Sequence, residues 1–185
     1  MENLNEIASN TLGLLVLIIS VAELIGYLTW DKRYFRFGIP IFIRNIPIHP
    51  STFVTPSVSH MEVGLPSSFW GPSIKFKEIG QGEYAFRNAI SEIRFWGFKY
   101  PPIMHGYLMY DNDKKRIVVK GYLIVAYPLL MLYVLGVVIS FEAALILLVI
   151  FASFSYLFQA MRFNTVADMV TNLSTPGSSQ AVNAG

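Results

Sequence analysis

The chain has 185 residues, room for one modest domain and a few membrane spans, and is 54% hydrophobic and only 14% charged. Ordinary soluble domains hold roughly 45–50% and about 25% of these classes, so the composition leans toward the bilayer. The absence of cysteine excludes disulfides, thiolate metal sites and a cysteine nucleophile; the net charge is only +2, unevenly distributed, and its basic excess is too diffuse for a nucleic-acid footprint.

Residues 1–10, MENLNEIASN, carry two acids and neither Lys nor Arg. They lack the basic start of a secretory signal and are expected to form a short extracytoplasmic tail. The apolar run Thr11–Trp30 follows, 20 residues long. As a helix it covers about 30 Å, the thickness of the hydrocarbon core, and it is expected to be a retained transmembrane anchor. Tyr27 and Trp30 stand where an interfacial aromatic belt would lie, directly before DKRYFR.

Within this run Glu23 is the sharpest candidate for function, because an ionisable side chain at membrane depth is costly and calls for a partner. Ser20, Glu23 and Tyr27 share one helical face, with Ala22 and Gly26 as a small-xxx-small pair beside it. Three readings stand: a carboxyl that joins this helix to the other helices, a contact to a partner protein, or a transport residue.

Segment 31–120 holds thirteen of the fourteen Lys and Arg against seven acids. Lys32, Arg33 and Arg36 follow the first span closely, and Lys114, Lys115, Arg116 and Lys120 precede the next. By the positive-inside rule the segment is expected to be cytoplasmic, with the N-terminus outside and the C-terminus inside. Its pattern is that of strands. Phe35, Phe37, Ile39, Ile41 and Ile43 alternate in Tyr34–Arg44, with Pro40 marking an edge strand or a break. Pro and Ser crowd Pro47–Pro72, which predicts a loop with one short strand, on which His60 and Glu62 would share a face. Strands resume with SIKFKEI, the turn Gly80-Gln81-Gly82, and EYAFR; SEIRFWGF follows. The hairpin signal Asp111–Lys115 separates IMHGYLMY from RIVVKGYL.

The run Gly121–Phe158 is 38 residues long, too long for one span. Ser140 as an N-cap and Glu142 in the first turn after it predict a water-facing hairpin turn between spans 121–139 and 141–158. The alternative is one broken helix with Glu142 inside the membrane. Residues 159–185 are expected to form a cytoplasmic, partly disordered tail.

The expected fold is therefore membrane α+β: three transmembrane helices, an N-terminal anchor and a C-terminal hairpin, flanking a small antiparallel β domain. His49, His60 and His105 show no recognised metal spacing, and there is no P-loop, GxGxxG or GxSxG motif. No cofactor, metal or catalysis is expected. Trp30, Lys32, Arg33, Arg36 and Trp70 are candidates for contact with a protein interface or with lipid headgroups. The expected role is a non-catalytic accessory or structural subunit packing against other integral membrane proteins. The alternatives are a stand-alone protein that binds lipid, including anionic headgroups, or another small ligand, and a homo-oligomeric transporter or channel using Glu23.

Overall fold

A computed structural model describes residues 2–47, 57–63, 65, 73–89, 103–111 and 113–174. Among these, helices α1 (Glu2–Thr29) and α2 (Lys32–Arg36) precede strand β1 (Pro40–Pro47) and the short helix α3 (Val58–Val63). Four further strands follow: β2 (Ile74–Gly80), β3 (Glu83–Asn88), β4 (Met104–Asp111) and β5 (Arg116–Leu123). Helices α4 (Ala126–Val138) and α5 (Phe141–Ser174) end the described chain.

The five strands form one sheet in the order β1-β5-β4-β3-β2, with every neighbouring pair antiparallel. The β2–β3 turn works because Gly82 adopts φ +69, a conformation a side chain would strain. Between β4 and β5 the Asp111 carboxylate accepts the Lys114 N–H and pairs with Arg116, 3.1 and 3.2 Å away. Pro40 opens β1 at an edge of the sheet, where its missing N–H leaves no gap in a ladder.

Side chains alternate across the sheet. One face carries Ile74, Phe76, Tyr84, Phe86, Met104, Leu108, Ile117 and Val119, all buried. The end of α5 covers it with Phe163, Val166, Ala167 and Val170, a single stripe at i, i+3, i+4 and i+7. Phe163, Val166 and Val170 each contribute roughly 1.5–3 kcal/mol on burial. The opposite face carries Ala85, Arg87 and His105, covered by Phe35 of α2 and by Tyr27 and Trp30 at the end of α1.

Several expectations change. Residues 2–10 are not a tail but the start of α1, which runs 28 residues; nothing in MENLNEIASN breaks a helix. Tyr34–Arg44 is not one strand. Asp31 caps Lys32–Arg36 as a helix by accepting the Tyr34 N–H at 2.9 Å, and the strand begins at Pro40. Residues 58–63 are helical, so His60 and Glu62 do not share a strand face. Gly121–Leu123 belongs to β5, which leaves α4 only 13 residues, about 20 Å. Residues 159–174 are not tail: α5 continues through them for 34 residues in all, about 51 Å. SEIRFWGF, Trp70 and His49 lie outside the described residues.

Among the described residues two helices are long and apolar enough to cross a membrane, α1 over Thr11–Thr29 and α5 over Phe141–Asn172. The third expected span, α4, does not reach that length. Leucines 12, 14, 15 and 17 of α1 and Ile146, Leu147, Val149 and Ile150 of α5 are exposed. The apolar exposure on α5 ends at Met161, one residue before Arg162 and two before its first core side chain, Phe163.

Candidate functional site: the junction of the first helix with the sheet

Gly13, Val16, Ser20, Glu23 and Tyr27 recur at intervals of three and four, so they line one side of α1. That side meets α4. A side chain at Gly13 would collide with Tyr133, only 2.7 Å from its hydroxyl oxygen. Three turns along, the Glu23 carboxylate accepts two backbone N–H groups, from Val125 at 3.1 Å (Oε1) and from Ala126 at 2.6 Å (Oε2).

This is an N-cap supplied by another helix. The first N–H groups of any helix lack partners within it and carry the positive end of its dipole. α4 has no side-chain cap of its own, because Val125 stands at the capping position. A carboxylate bridging both N–H groups meets the hydrogen-bonding and the charge requirement together.

Trp30 ends α1 in a left-handed conformation, φ 59, that is uncommon for a bulky residue. The turn is held by packing: its ring stacks on Phe35, with centroids 5.4 Å apart. The chain then doubles back, and Tyr34 of α2 lies against Gly26, where a Cβ would approach to 2.8 Å. Gly26 thus receives an aromatic ring, while Ala22 is exposed. Ser20 donates to the carbonyl of Val16 at 2.8 Å and takes no part in the junction.

The sheet enters through Arg87. Its guanidinium donates to the Tyr27 carbonyl and lies 4.1 Å from the Trp30 ring and 4.7 Å from that of Tyr27. Tyr27 returns a bond from its hydroxyl to the Asn88 carbonyl, 3.3 Å. Among the described residues Arg87 pairs with no carboxylate, so two aromatic faces and one carbonyl compensate for its burial.

His105 on β4 is also buried. Nε2 lies 3.1 Å from the Tyr34 carbonyl and donates to it, which leaves Nδ1 as an acceptor without a partner among the described residues. Its ring stacks on Tyr34 at 4.3 Å and meets Phe35 edge-on at 5.0 Å. Burial, partly offset by the bond to Tyr34, lowers its pKa to about 4, so the ring is neutral at pH 7. The Tyr34 hydroxyl is held well above the usual tyrosine range, by burial first and then by the Glu23 carboxylate.

At the rim Lys32 and Arg36 both pair with Glu83 at the start of β3, the first at 3.5 Å. Arg33 is exposed. The α4–α5 turn lies at the other end of α4. There the Ser140 hydroxyl accepts the Ala143 N–H at 3.3 Å, and Glu142 stands in the first turn of α5.

The structure thus gathers Glu23, Gly26, Tyr27, Trp30, Lys32 and Arg36 around one junction. Ser20, Ala22, Arg33, Ser140 and Glu142 lie outside it, and Trp70 lies outside the described residues. Sequence inspection missed Tyr34, Arg87 and His105. The signal available was weak: a cation and an imidazole among the apolar residues of β3 and β4. No group of three or more His, Asp or Glu among the described residues is placed to hold a metal ion. Comparison with known proteins returns no matching family model, no matching curated protein and no matching solved structure, so nothing there indicates catalysis.

Proposed function

We propose that the protein is a non-catalytic accessory or structural subunit of a larger integral membrane complex, with three membrane-embedded helices and its sheet on the cytoplasmic face. The observation that carries this reading is the Glu23 cap. It lies six residues, about 9 Å of helix, before Thr29. α4 adds about 20 Å, and the sum matches the roughly 30 Å of a hydrocarbon core. α4 is short because its N-terminus starts below the membrane surface, where bare N–H groups cost several kcal/mol each. A carboxylate from the neighbouring helix removes that cost.

The arrangement of the helices supports a lateral partner. α4 lies between α1 and α5, giving a row rather than a closed bundle, with apolar flanks on both outer helices. The basic excess of segment 31–120 favours a cytoplasmic sheet, with the N-terminus outside. The transporter alternative is weakened, since both Glu23 oxygens already hold backbone N–H groups.

The test is purification from native membranes in mild detergent through a C-terminal tag. A stoichiometric set of companion membrane proteins is the expected result. A monodisperse lone chain that keeps its fold would overturn the subunit role.

A further inference from the structure

The link between α2 and β1 exposes Phe37 by 71% and Ile39 by 56%, and Ile43 on β1 is exposed by 56%. Such a patch on a soluble surface would be a liability. Its depth relative to the helices gives it a different meaning, and two separate contacts fix that depth.

The first runs through β5. The Ile39 carbonyl accepts the Leu123 N–H at 2.9 Å. Leu123 stands two residues, about 7 Å of extended chain, before Val125, and Val125 is bonded to Glu23. Glu23 is about 9 Å below the end of α1, so Ile39 is level with the last turn of α1, where Leu28 is exposed. The second contact runs through α5. The Tyr156 hydroxyl donates to the Ile41 carbonyl at 3.3 Å. Beyond Tyr156, toward the sheet, α5 still exposes Leu157, Phe158 and Met161. The exposed apolar surface of both helices therefore extends to the level of this link or past it.

From this we infer that residues 37–41 form a non-helical limb immersed in the outer hydrocarbon and headgroup layer, an attachment to lipid additional to the membrane-embedded helices. The inference rests on the membrane reading above and deepens it. The backbone suits that place. Pro40 contributes no N–H that lipid would leave unpaired, and the carbonyls of Ile39 and Ile41 are both bonded. Arg33 of α2, exposed, and Lys120 opposite Ile43 border the limb with cations at the level of lipid phosphates.

The chain has no cysteine, so single labels are straightforward to place. The experiment reconstitutes full-length Phe37→Cys, Leu15→Cys and Asp113→Cys, each nitroxide-labelled, in nanodiscs of equimolar phosphatidylcholine and phosphatidylglycerol. Collision of each label with oxygen is compared with its collision with a water-soluble nickel chelate. Phe37→Cys is expected to favour oxygen several-fold more than Asp113→Cys does, approaching Leu15→Cys. If it matches Asp113→Cys while Leu15→Cys reads as lipid-embedded, the limb is aqueous and this inference falls alone. If Leu15→Cys also matches Asp113→Cys, the membrane reading falls and takes the limb with it. A Phe37 label shielded from both reagents would mean protein covers the limb, which also overturns the inference.

Discussion

The two faces of the sheet are covered by opposite chemistry. On one, the end of α5 lays Phe163, Val166 and Val170 on an apolar surface, and buried area carries most of the contact, beside a bond from the Met104 N–H to Gln159 at 2.8 Å and an ion pair from Arg44 to Asp168 at 2.6 Å. On the other, aromatic side chains and carbonyls of α1 and α2 meet the Arg87 guanidinium and the neutral His105 imidazole of the sheet, beside the Glu23 carboxylate that caps α4, and individual bonds decide the fit. The first kind of contact tolerates repacking, because dispersion is not directional. The second does not: a buried polar group without its partner costs more than the bond was worth. The polar face fixes α1 and α2 against the sheet and the apolar face fixes α5, so both contacts set where the sheet stands relative to the apolar lengths of the helices.

The largest expected effect tests the apolar face. Phe163 touches Phe86 and Phe42, with ring centroids 4.8 and 5.7 Å away. Phe163→Ala is expected to destabilise the fold by about 4 kcal/mol, read by denaturant unfolding in detergent micelles. The wild-type position of the α4 N-terminus should survive in whatever fraction stays folded. A loss below about 1 kcal/mol would mean that α5 does not rest on the sheet.

Next is the cap. Glu23→Ala strands two N–H groups and is expected to cost about 3 kcal/mol, while Glu23→Gln keeps one acceptor oxygen and costs about half as much. The difference between the faces predicts where the damage appears. Hydrogen exchange should rise at Val125 and Ala126 while the β4–β5 ladder keeps its protection. Equal stability of all three proteins would remove the cap from the account.

The smallest effect is pH-dependent and belongs to the polar face alone. With His105 near pKa 4 when folded and about 6.5 when unfolded, the unfolded chain binds the extra proton first as pH falls. This contribution to stability is complete above about pH 6.5 and is lost progressively toward pH 4. Between pH 7 and 5 the loss is about 2 kcal/mol. His105→Phe should lose correspondingly less over the same interval, so the wild-type and variant melting curves should converge in acid. Identical pH profiles for the two proteins would show that His105 is not buried in its neutral form.

Legibility differed between these regions for a physical reason. The hairpin Asp111–Lys115, the turn at Gly82 and the edge position of Pro40 follow from turn chemistry and from the missing proline N–H, properties of a few adjacent residues. The stripe Phe163, Val166, Ala167 and Val170 was equally local and readable, but the polar residues between its members disguised it as tail. The helix over Lys32–Arg36 was misread as strand because Phe35, Phe37 and Ile39 alternate, while the Asp31 cap acts within one turn.

By itself the sequence determined the apolar runs that begin at Thr11 and Phe141, the antiparallel hairpins, the uneven charge and the need for Glu23 to find a partner, because hydrophobic length, period and desolvation cost act along the chain; it did not show that α4 is short or that α5 runs on to Ser174. Only the tertiary structure decided who that partner was. Glu23 meets Val125 and Ala126 across more than a hundred residues, and Arg87 meets Tyr27 across sixty. Such pairings depend on where strand β5 stops and helix α4 starts once the sheet is assembled, and no local pattern carries that information.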